Sequence, residues 1–186
     1  IYEINLKEHL ACFNKNNSNN QYDNNVMGLP ALVKVISICN AARVVDLSRC
    51  YQLNDKLLSS IANPLTSKCY QTIRVLNVAH NSYISNASIE FIAKHLEQLQ
   101  DLDISYCFKI TTDSVKSIAK YSTTLENLNI AECYLITGSA LKHIQKASNL
   151  KQLTLSVSIL DDRGFKQAEV IALQTSCPKL QVVVKK

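Results

Sequence analysis

The chain has 186 residues, 47% of them apolar, and a net charge of +5. This is enough for one domain, residues 1–186, with a core of its own, and it excludes a chain that is disordered throughout. No apolar run approaches the roughly 18 residues of a membrane span, and the dispersed lysines lack the density of a nucleic-acid-binding patch, so we expect neither membrane insertion nor a nucleic-acid partner.

The seven cysteines, at positions 12, 39, 50, 69, 107, 133 and 177, form no C-x-x-C pair, and no histidine stands at a ligand-like interval from them. We therefore expect no metal and no cofactor. The first residues lack the basic start and apolar middle of a secretory leader. The odd number of cysteines then favours free thiols in a reducing compartment, the cytoplasm or the nucleus.

The first predicted strand contains Ile1, Ile4 and Leu6, and His9 follows it. Because the sequence starts at an isoleucine, either a leader has been removed or the domain is part of a longer chain, and we expect the latter. Residues 14–25, NKNNSNNQYDNN, contain almost no apolar side chain, which predicts a mobile insertion in the first unit. The segment after Gly28-Leu29-Pro30 predicts a helix, with one apolar face formed by Leu32, Val35, Ile36 and Cys39.

One phrase, L-x-x-L-x-L-x-x-C-x-x-L, then occurs in four consecutive copies. The copies begin at Ala42, Ile73, Leu99 and Leu125, so the last three are spaced by 26 residues. The ninth position is occupied by Cys50, Asn81, Cys107 and Cys133. Alternation within the first six positions predicts a strand, and the constant spacing predicts units that stack on one another and share one core.

Between these strands the apolar period changes from two to about 3.6, which predicts a helix in each unit. Pro64 should end or kink the first of these helices. The predicted buried faces are Leu57, Ile61, Ala62 and Leu65; Ile89, Ile92, Ala93 and Leu96; Val115, Ile118 and Ala119; and Leu141, Ile144 and Ala147.

The C-terminal part fits the phrase less closely. One further strand is predicted at Leu150, Leu153 and Leu155, with Ser158 at the cysteine position, and a last one at Leu180, Val182 and Val184. Asp161 and Asp162 lie between these strands. We interpret these adjacent acids as a turn and helix cap and not as a catalytic pair.

The phrase resembles the leucine-rich repeat in its cysteine-containing subtype, which is typical of F-box proteins and continues as C-x-x-I/L-T/S-D. The matching segments start at Cys50, Cys107 and Cys133, and Cys39, Cys69 and Cys177 fit a second cysteine position at the helix end. The resemblance implies a right-handed α/β solenoid of about six repeats, with a parallel sheet on the concave side and helices on the convex side.

Two sets of residues are candidates for protein binding. Outward strand positions form a row of Asp46, Asn77, Asp103 and Asn129, beside a parallel row of Val44, Val75, Asp101, Asn127 and Gln152. Aromatic residues follow the strands at Tyr51, His80, Tyr83, Tyr106 and Tyr134, and tyrosine is a common binding hot spot. Each set also has an interpretation without binding. Any solvated sheet face carries such polar residues, and some of the rings, most of all that of Phe108, could pack down on the bend between repeats.

The sequence contains no glycine-rich phosphate loop, no H-E-x-x-H and no G-x-S-x-G, so we expect a protein-binding module and no catalysis. The resemblance implies, more specifically, substrate recognition in an F-box ubiquitin ligase, with an adaptor reached through upstream sequence. It also leaves open a structural or assembly subunit of a large complex, mitochondrial or ciliary. A third alternative is the regulation of an enzyme by capping it.

Overall fold

The computed structural model describes residues 2–5, 28–39, 41–157 and 165–185. Strands and helices alternate along the chain. The strands are β1 (Tyr2–Asn5), β2 (Ala42–Asp46), β3 (Val75–Asn77), β4 (Asp101–Asp103), β5 (Asn127–Asn129), β6 (Gln152–Ser156) and β7 (Gln181–Lys185). The helices are α1 (Leu29–Ile38), α2 (Asp55–Ala62), α3 (Asn86–His95), α4 (Thr112–Tyr121), α5 (Leu141–Ile144), which follows a 3₁₀ turn at Gly138–Ala140, and α6 (Gln167–Ser176).

The seven strands form one parallel sheet in which each strand pairs with the next one along the chain, from β1 to β7. The register places Leu76 beside Leu102 and Leu102 beside Leu128. These three leucines therefore form one column through consecutive repeats, and each is at most 2% exposed. The predicted solenoid is confirmed, including the last strand, β7.

The core lies between the sheet and the layer of helices. The apolar positions of the repeat phrase point into it, and the helices α3 and α4 pack on each other along its back. A unit of this size has too little apolar surface to fold alone, so its stability comes mainly from its neighbours. None of the helices in the described ranges is long and apolar enough to cross a membrane.

The predicted helix faces are mostly confirmed. Ile89, Ile92, Ala93 and Leu96 are all buried. Helix α2 ends at Ala62, before Pro64, because proline disfavours helical backbone in the residue that precedes it. The prediction for Leu65 is wrong: its side chain is 91% exposed, since the helix has ended and the chain no longer continues the apolar face.

Hydrogen bonds connect the start of one helix with the start of the next, and we call this set the cap ladder. The carboxylate of Asp55 accepts bonds from the backbone N–H and the hydroxyl of Ser85, both at 2.7 Å. Asn86 bonds Thr111 in the same way, accepting from its backbone N–H at 2.9 Å. The hydroxyl of Thr112 accepts from the N–H of Thr137 at 3.2 Å. Burial raises the pKa of Asp55, but the Ser85 hydrogen bonds outweigh it and hold that pKa below its usual value.

The ninth position of the phrase closes the bend after each strand. The Cys107 thiol donates to the carbonyl of Val78 in the preceding repeat at 3.3 Å, and Cys133 donates to Ile104 at 3.1 Å. Asn81 does the same with its amide, donating to the carbonyl of Leu47 at 2.9 Å. Cysteine and asparagine thus satisfy the same kind of buried carbonyl, whose unpaired state would be unfavourable.

Several predictions fall on residues outside the described ranges. They are the insertion at 14–25, the positions of Ile1, Leu6, His9 and Ser158, and the turn at Asp161 and Asp162. The second cysteine position is described: Cys39 and Cys177 cap the ends of α1 and α6, and Cys69 is buried beyond the end of α2.

Candidate functional site

The sheet brings the predicted polar row together. The pairing register aligns Asp46, Asn77, Asp103 and Asn129 across β2 to β5, with Thr154 next to them in β6. The parallel row from Val75 through Asp101 and Asn127 to Gln152 is aligned in the same way. From β3 to β6, both rows line a shallow groove of about 310 Å³ on the face of the sheet that carries no helices, and Asp46 in β2 lies beyond this lining.

The aligned row also has a structural role, which strand alternation alone does not indicate. In each repeat the Oδ1 atom accepts a hydrogen bond from the backbone N–H two residues later, at 2.9 to 3.1 Å. Such a turn, formed by aspartate or asparagine, bends the chain out of the strand. The row therefore ends the strands, and only its remaining polar atoms are available to a partner.

Side-chain bonds also run across the strands within the groove. The Asn129 amide donates to Oδ2 of Asp103 at 2.8 Å, and the Asn127 amide donates to Oδ1 of Asp101. The hydroxyl of Ser105 donates to Oδ1 of Asp103 at 2.6 Å. These bonds hold the polar side chains in fixed positions, which lowers the entropy that a partner would lose by ordering them.

One edge of the groove contains four strained residues. Arg49, His80, Tyr106 and Glu132 occupy equivalent positions in four repeats, and all have φ between 58° and 60°. This left-handed conformation is unfavourable for residues with a Cβ atom. It is held in place because the backbone N–H groups of Arg49, His80 and Tyr106 bond the carbonyl of the next repeat at 2.8 to 3.0 Å.

Replacing Arg49 by glycine should raise the free energy of unfolding by about 1 kcal/mol relative to replacing it by alanine, because glycine accepts positive φ. Both changes remove the same side chain, so the comparison isolates the backbone. Urea unfolding followed by circular dichroism measures the difference. The same pair of substitutions at Arg43, an exposed position within β2, should favour alanine. Equal stability of the two Arg49 variants would contradict the account.

The predicted aromatic residues fall into two rows. The first, which we call the strained row, belongs to the four residues with positive φ. In it, the rings of His80 and Tyr106 stack with centroids 4.1 Å apart and planes 10° from parallel. Burial, followed by the nearby positive charge of Arg49, lowers the pKa of His80, so the ring is neutral at pH 7. Glu132 in the same row accepts a bond from the hydroxyl of Tyr134. Bonds from Ser156 and then Tyr134 lower the pKa of Glu132 and keep it ionised.

The outer row, which we call the aromatic edge, consists of Tyr51, Tyr83, Phe108 and Tyr134, with exposed fractions between 44% and 60%. The expectation that Phe108 packs down on the bend is wrong. Its ring is 49% exposed and lies parallel to that of Tyr134, with centroids 6.4 Å apart. The ammonium group of Lys109 lies 5.2 Å from the centre of the Tyr83 ring.

The buried thiols are not placed for chemistry. Burial raises the pKa of Cys107 to about 11 and those of Cys50 and Cys133 to about 12. Because the thiolate is the nucleophile, these side chains are unreactive at neutral pH. Among the described residues, no three His, Cys, Asp or Glu side chains meet in an arrangement that could hold a metal ion.

Comparison with solved structures agrees with this architecture. The yeast Rad7 chain, solved in a complex with Elc1, superposes with a TM-score of 0.60 at 14% identity and matches 88% of this chain. The chain folds as a leucine-rich-repeat solenoid. It spans 42% of the length of that Rad7 chain. Actin-binding site 2 of leiomodin-1 superposes with a TM-score of 0.54 at 12% identity, covering 80% of this chain and 86% of its own.

At the level of sequence, no family model and no curated protein matches the chain. The structural likenesses therefore show the fold alone.

Proposed function

We propose that the chain is a protein-recognition module without catalytic activity, which holds a partner on its concave groove and aromatic edge. The observation that carries this proposal is the aromatic edge. Phe108 has no polar atom, yet half of its ring faces water beside Tyr134. Rigid aromatic side chains of this kind supply binding energy at little entropic cost when a partner covers them.

The finer form of the proposal is substrate recognition in an F-box ubiquitin ligase, in the cytoplasm or the nucleus. Its support is the resemblance of the cysteine-containing phrase, together with the likeness to Rad7, which was solved in a complex with another protein. Capture of the cullin-ligase adaptor by the full-length protein tests this form. Absence of adaptor capture would contradict it and leave the general recognition proposal standing.

A second candidate is a structural subunit of a larger assembly, including a mitochondrial or ciliary one. The likeness to an actin-binding part of leiomodin-1 favours it, because that protein fragment has a similar fold over most of its length. In this case the partner would copurify at a fixed ratio through size-exclusion chromatography. A recognition subunit of a ligase would instead hold its substrate transiently.

Affinity capture followed by mass spectrometry tests the proposal itself. Phe108→Ala/Tyr134→Ala should lose the partners that the unmodified chain captures, and it should fold normally because both residues are about half exposed and lie outside the buried core. Leu65→Ala/Ile171→Ala is the matched control, because it also truncates two exposed apolar side chains but outside the groove and the aromatic edge, and it should retain them. An unchanged set of partners in the double variant would remove the aromatic edge from the binding surface.

A further inference from the structure

The concave groove differs in charge from the rest of the molecule. The chain as a whole carries a net charge of +5. The described residues that line the groove, however, are the carboxylates of Asp101 and Asp103 with amide, threonine and apolar side chains, and they include no lysine or arginine. Asp46 adds a third carboxylate in the same aligned row, two strands away from Asp103. A basic protein therefore presents a locally negative sheet face.

Within the described ranges, Asp101 and Asp103 accept hydrogen bonds from neighbouring side chains and from the backbone. Asp103 accepts bonds from Ser105 and Asn129, and Asp101 accepts one from Asn127. The two ion pairs that the structure shows among its described residues lie elsewhere, at Glu90–Lys94 and Glu126–Lys151. Because a carboxylate offers about four acceptor sites, Asp101 in particular retains acceptor capacity toward the groove.

A stacked pair of rings borders the same part of the groove. Tyr106 follows Asp103 by three residues, and its ring lies parallel to that of His80 at 4.1 Å. The backbone N–H of His80 donates to the carbonyl of Ser105 at 2.9 Å, and the Ser105 hydroxyl donates to Asp103 at 2.6 Å, so the carboxylate and the ring pair are close neighbours. A guanidinium group can use both features, since its planar face stacks on aromatic rings and its edge donates two parallel bonds to a carboxylate. A lysine ammonium is a point charge and cannot make the paired bonds.

We infer that the partner of the concave groove is an extended peptide segment carrying arginine, with guanidinium groups on Asp101 and Asp103 and against the His80–Tyr106 pair. This inference rests on the proposed recognition function and names the chemistry of its partner. Asp101 and Asp103 are alternate residues of one strand, so their side chains lie about 6.6 Å apart. Alternate residues of an extended peptide have the same spacing. The positive charges of Arg49 and Lys185 also act on His80 and disfavour a further cation there, so we expect the guanidinium group on the Tyr106 side of the ring pair.

Binding of three labelled nonapeptides to the whole chain tests the inference by fluorescence anisotropy in about 150 mM salt. The peptides alternate glycine with arginine, lysine or glutamate. The arginine peptide should bind most tightly, the lysine peptide several-fold more weakly, and the glutamate peptide not at all. General attraction cannot produce this order, because a chain of net charge +5 favours the acidic peptide.

Asp101→Asn/Asp103→Asn should weaken the arginine peptide about tenfold or more, because it removes the charges from the bonds. Asparagine retains the Oδ1 acceptor for the backbone of Ser105, so the strand end is preserved. Asp101→Asn alone should show part of the loss, and it guards against misfolding because the Asp101 carboxylate bonds the Asn127 side chain and does not form the turn that ends the strand. The charge-matched control Glu97→Gln/Asp113→Asn changes two exposed residues outside the groove lining and should bind as the unmodified chain does.

Three results would overturn the inference: tighter binding of the glutamate peptide, no binding of the arginine peptide at millimolar concentration, or an equal loss in the control. These results are distinct from a failure of the proposed function. If the captured partners still depend on Phe108 and Tyr134 but the peptide preference is absent, only the arginine inference fails. If neither the aromatic edge nor the groove variants change the captured partners, the recognition proposal fails as well.

Discussion

Leu102→Ala should lower the free energy of unfolding. Such truncations in a core cost about 2 to 5 kcal/mol, and we expect this one to lie near the upper end of that range. Leu102 is 2% exposed and lies in the middle of the column formed with Leu76 and Leu128. Truncation removes apolar contacts with the repeats on both sides and leaves a cavity, and the rigid sheet register limits how far the neighbours can relax into it. Urea unfolding followed by circular dichroism measures the loss.

Leu135→Ala is the matched control for this prediction. Leu135 is the same residue type but is 51% exposed and follows the bend of its repeat. Its truncation should change the free energy of unfolding by no more than about 0.5 kcal/mol. Similar losses at the two positions would mean that the column of leucines does not hold the repeats together.

Asn81→Asp should destabilise the protein by about 3 to 5 kcal/mol although it leaves the shape of the side chain unchanged. The Asn81 amide is fully buried and donates to the carbonyl oxygens of Leu47 and Val78 at 2.9 and 2.8 Å. A carboxylate at this position would face the same oxygens with no hydrogen to donate. Asn81→Cys should be milder, because a thiol makes the equivalent bond in the repeats of Cys107 and Cys133.

The loss in Asn81→Asp should depend on pH in a defined direction. Burial and the facing carbonyls raise the pKa of the introduced carboxyl in the folded state above its unfolded value of about 3.9. The folded state therefore holds the proton more tightly, and the destabilisation grows as pH rises above about 4 and shrinks below it. Asn54→Asp is the control: Asn54 caps α2 by accepting from Leu57, which a carboxylate does equally well. A loss in Asn81→Asp that is the same at pH 3 and pH 7 would contradict this account.

The architecture was predictable because the repeat phrase fixes which side chains share a face in every unit. Leu76, Leu102 and Leu128 stand 26 residues apart, and stacked units place such positions in one column. Leu65 shows where periodicity fails. The spacing continued the apolar face of α2, but the proline before it ended the helix, and local backbone chemistry overrode the pattern.

The candidate site was predictable only in part. The aligned row of aspartates and asparagines followed from strand alternation, but its bonds to the backbone did not, because they depend on how the chain bends after each strand. The strained row gave no signal, since positive φ is usually marked by glycine and none of the three glycines stands there. The exposure of Phe108 depends on the path of a loop, which residue spacing does not determine.

The cap ladder makes the central repeats and the last helix differ in how strongly they are bonded to their neighbours. Between α2 and α5, the start of each helix is hydrogen-bonded to the start of the next one. If one unit opens, its neighbour loses such a bond, so the central repeats should unfold together. In α6 the corresponding bond is internal: the N–H of Lys166 donates to the Glu169 carboxylate of the same helix at 2.9 Å. Among the described residues, one side-chain bond joins α6 to the preceding helix, from the Gln145 amide to the hydroxyl of Ser176 at 3.1 Å, whereas Ser85 alone makes two bonds to Asp55, so thermal opening of the domain should be greatest at the α6 end.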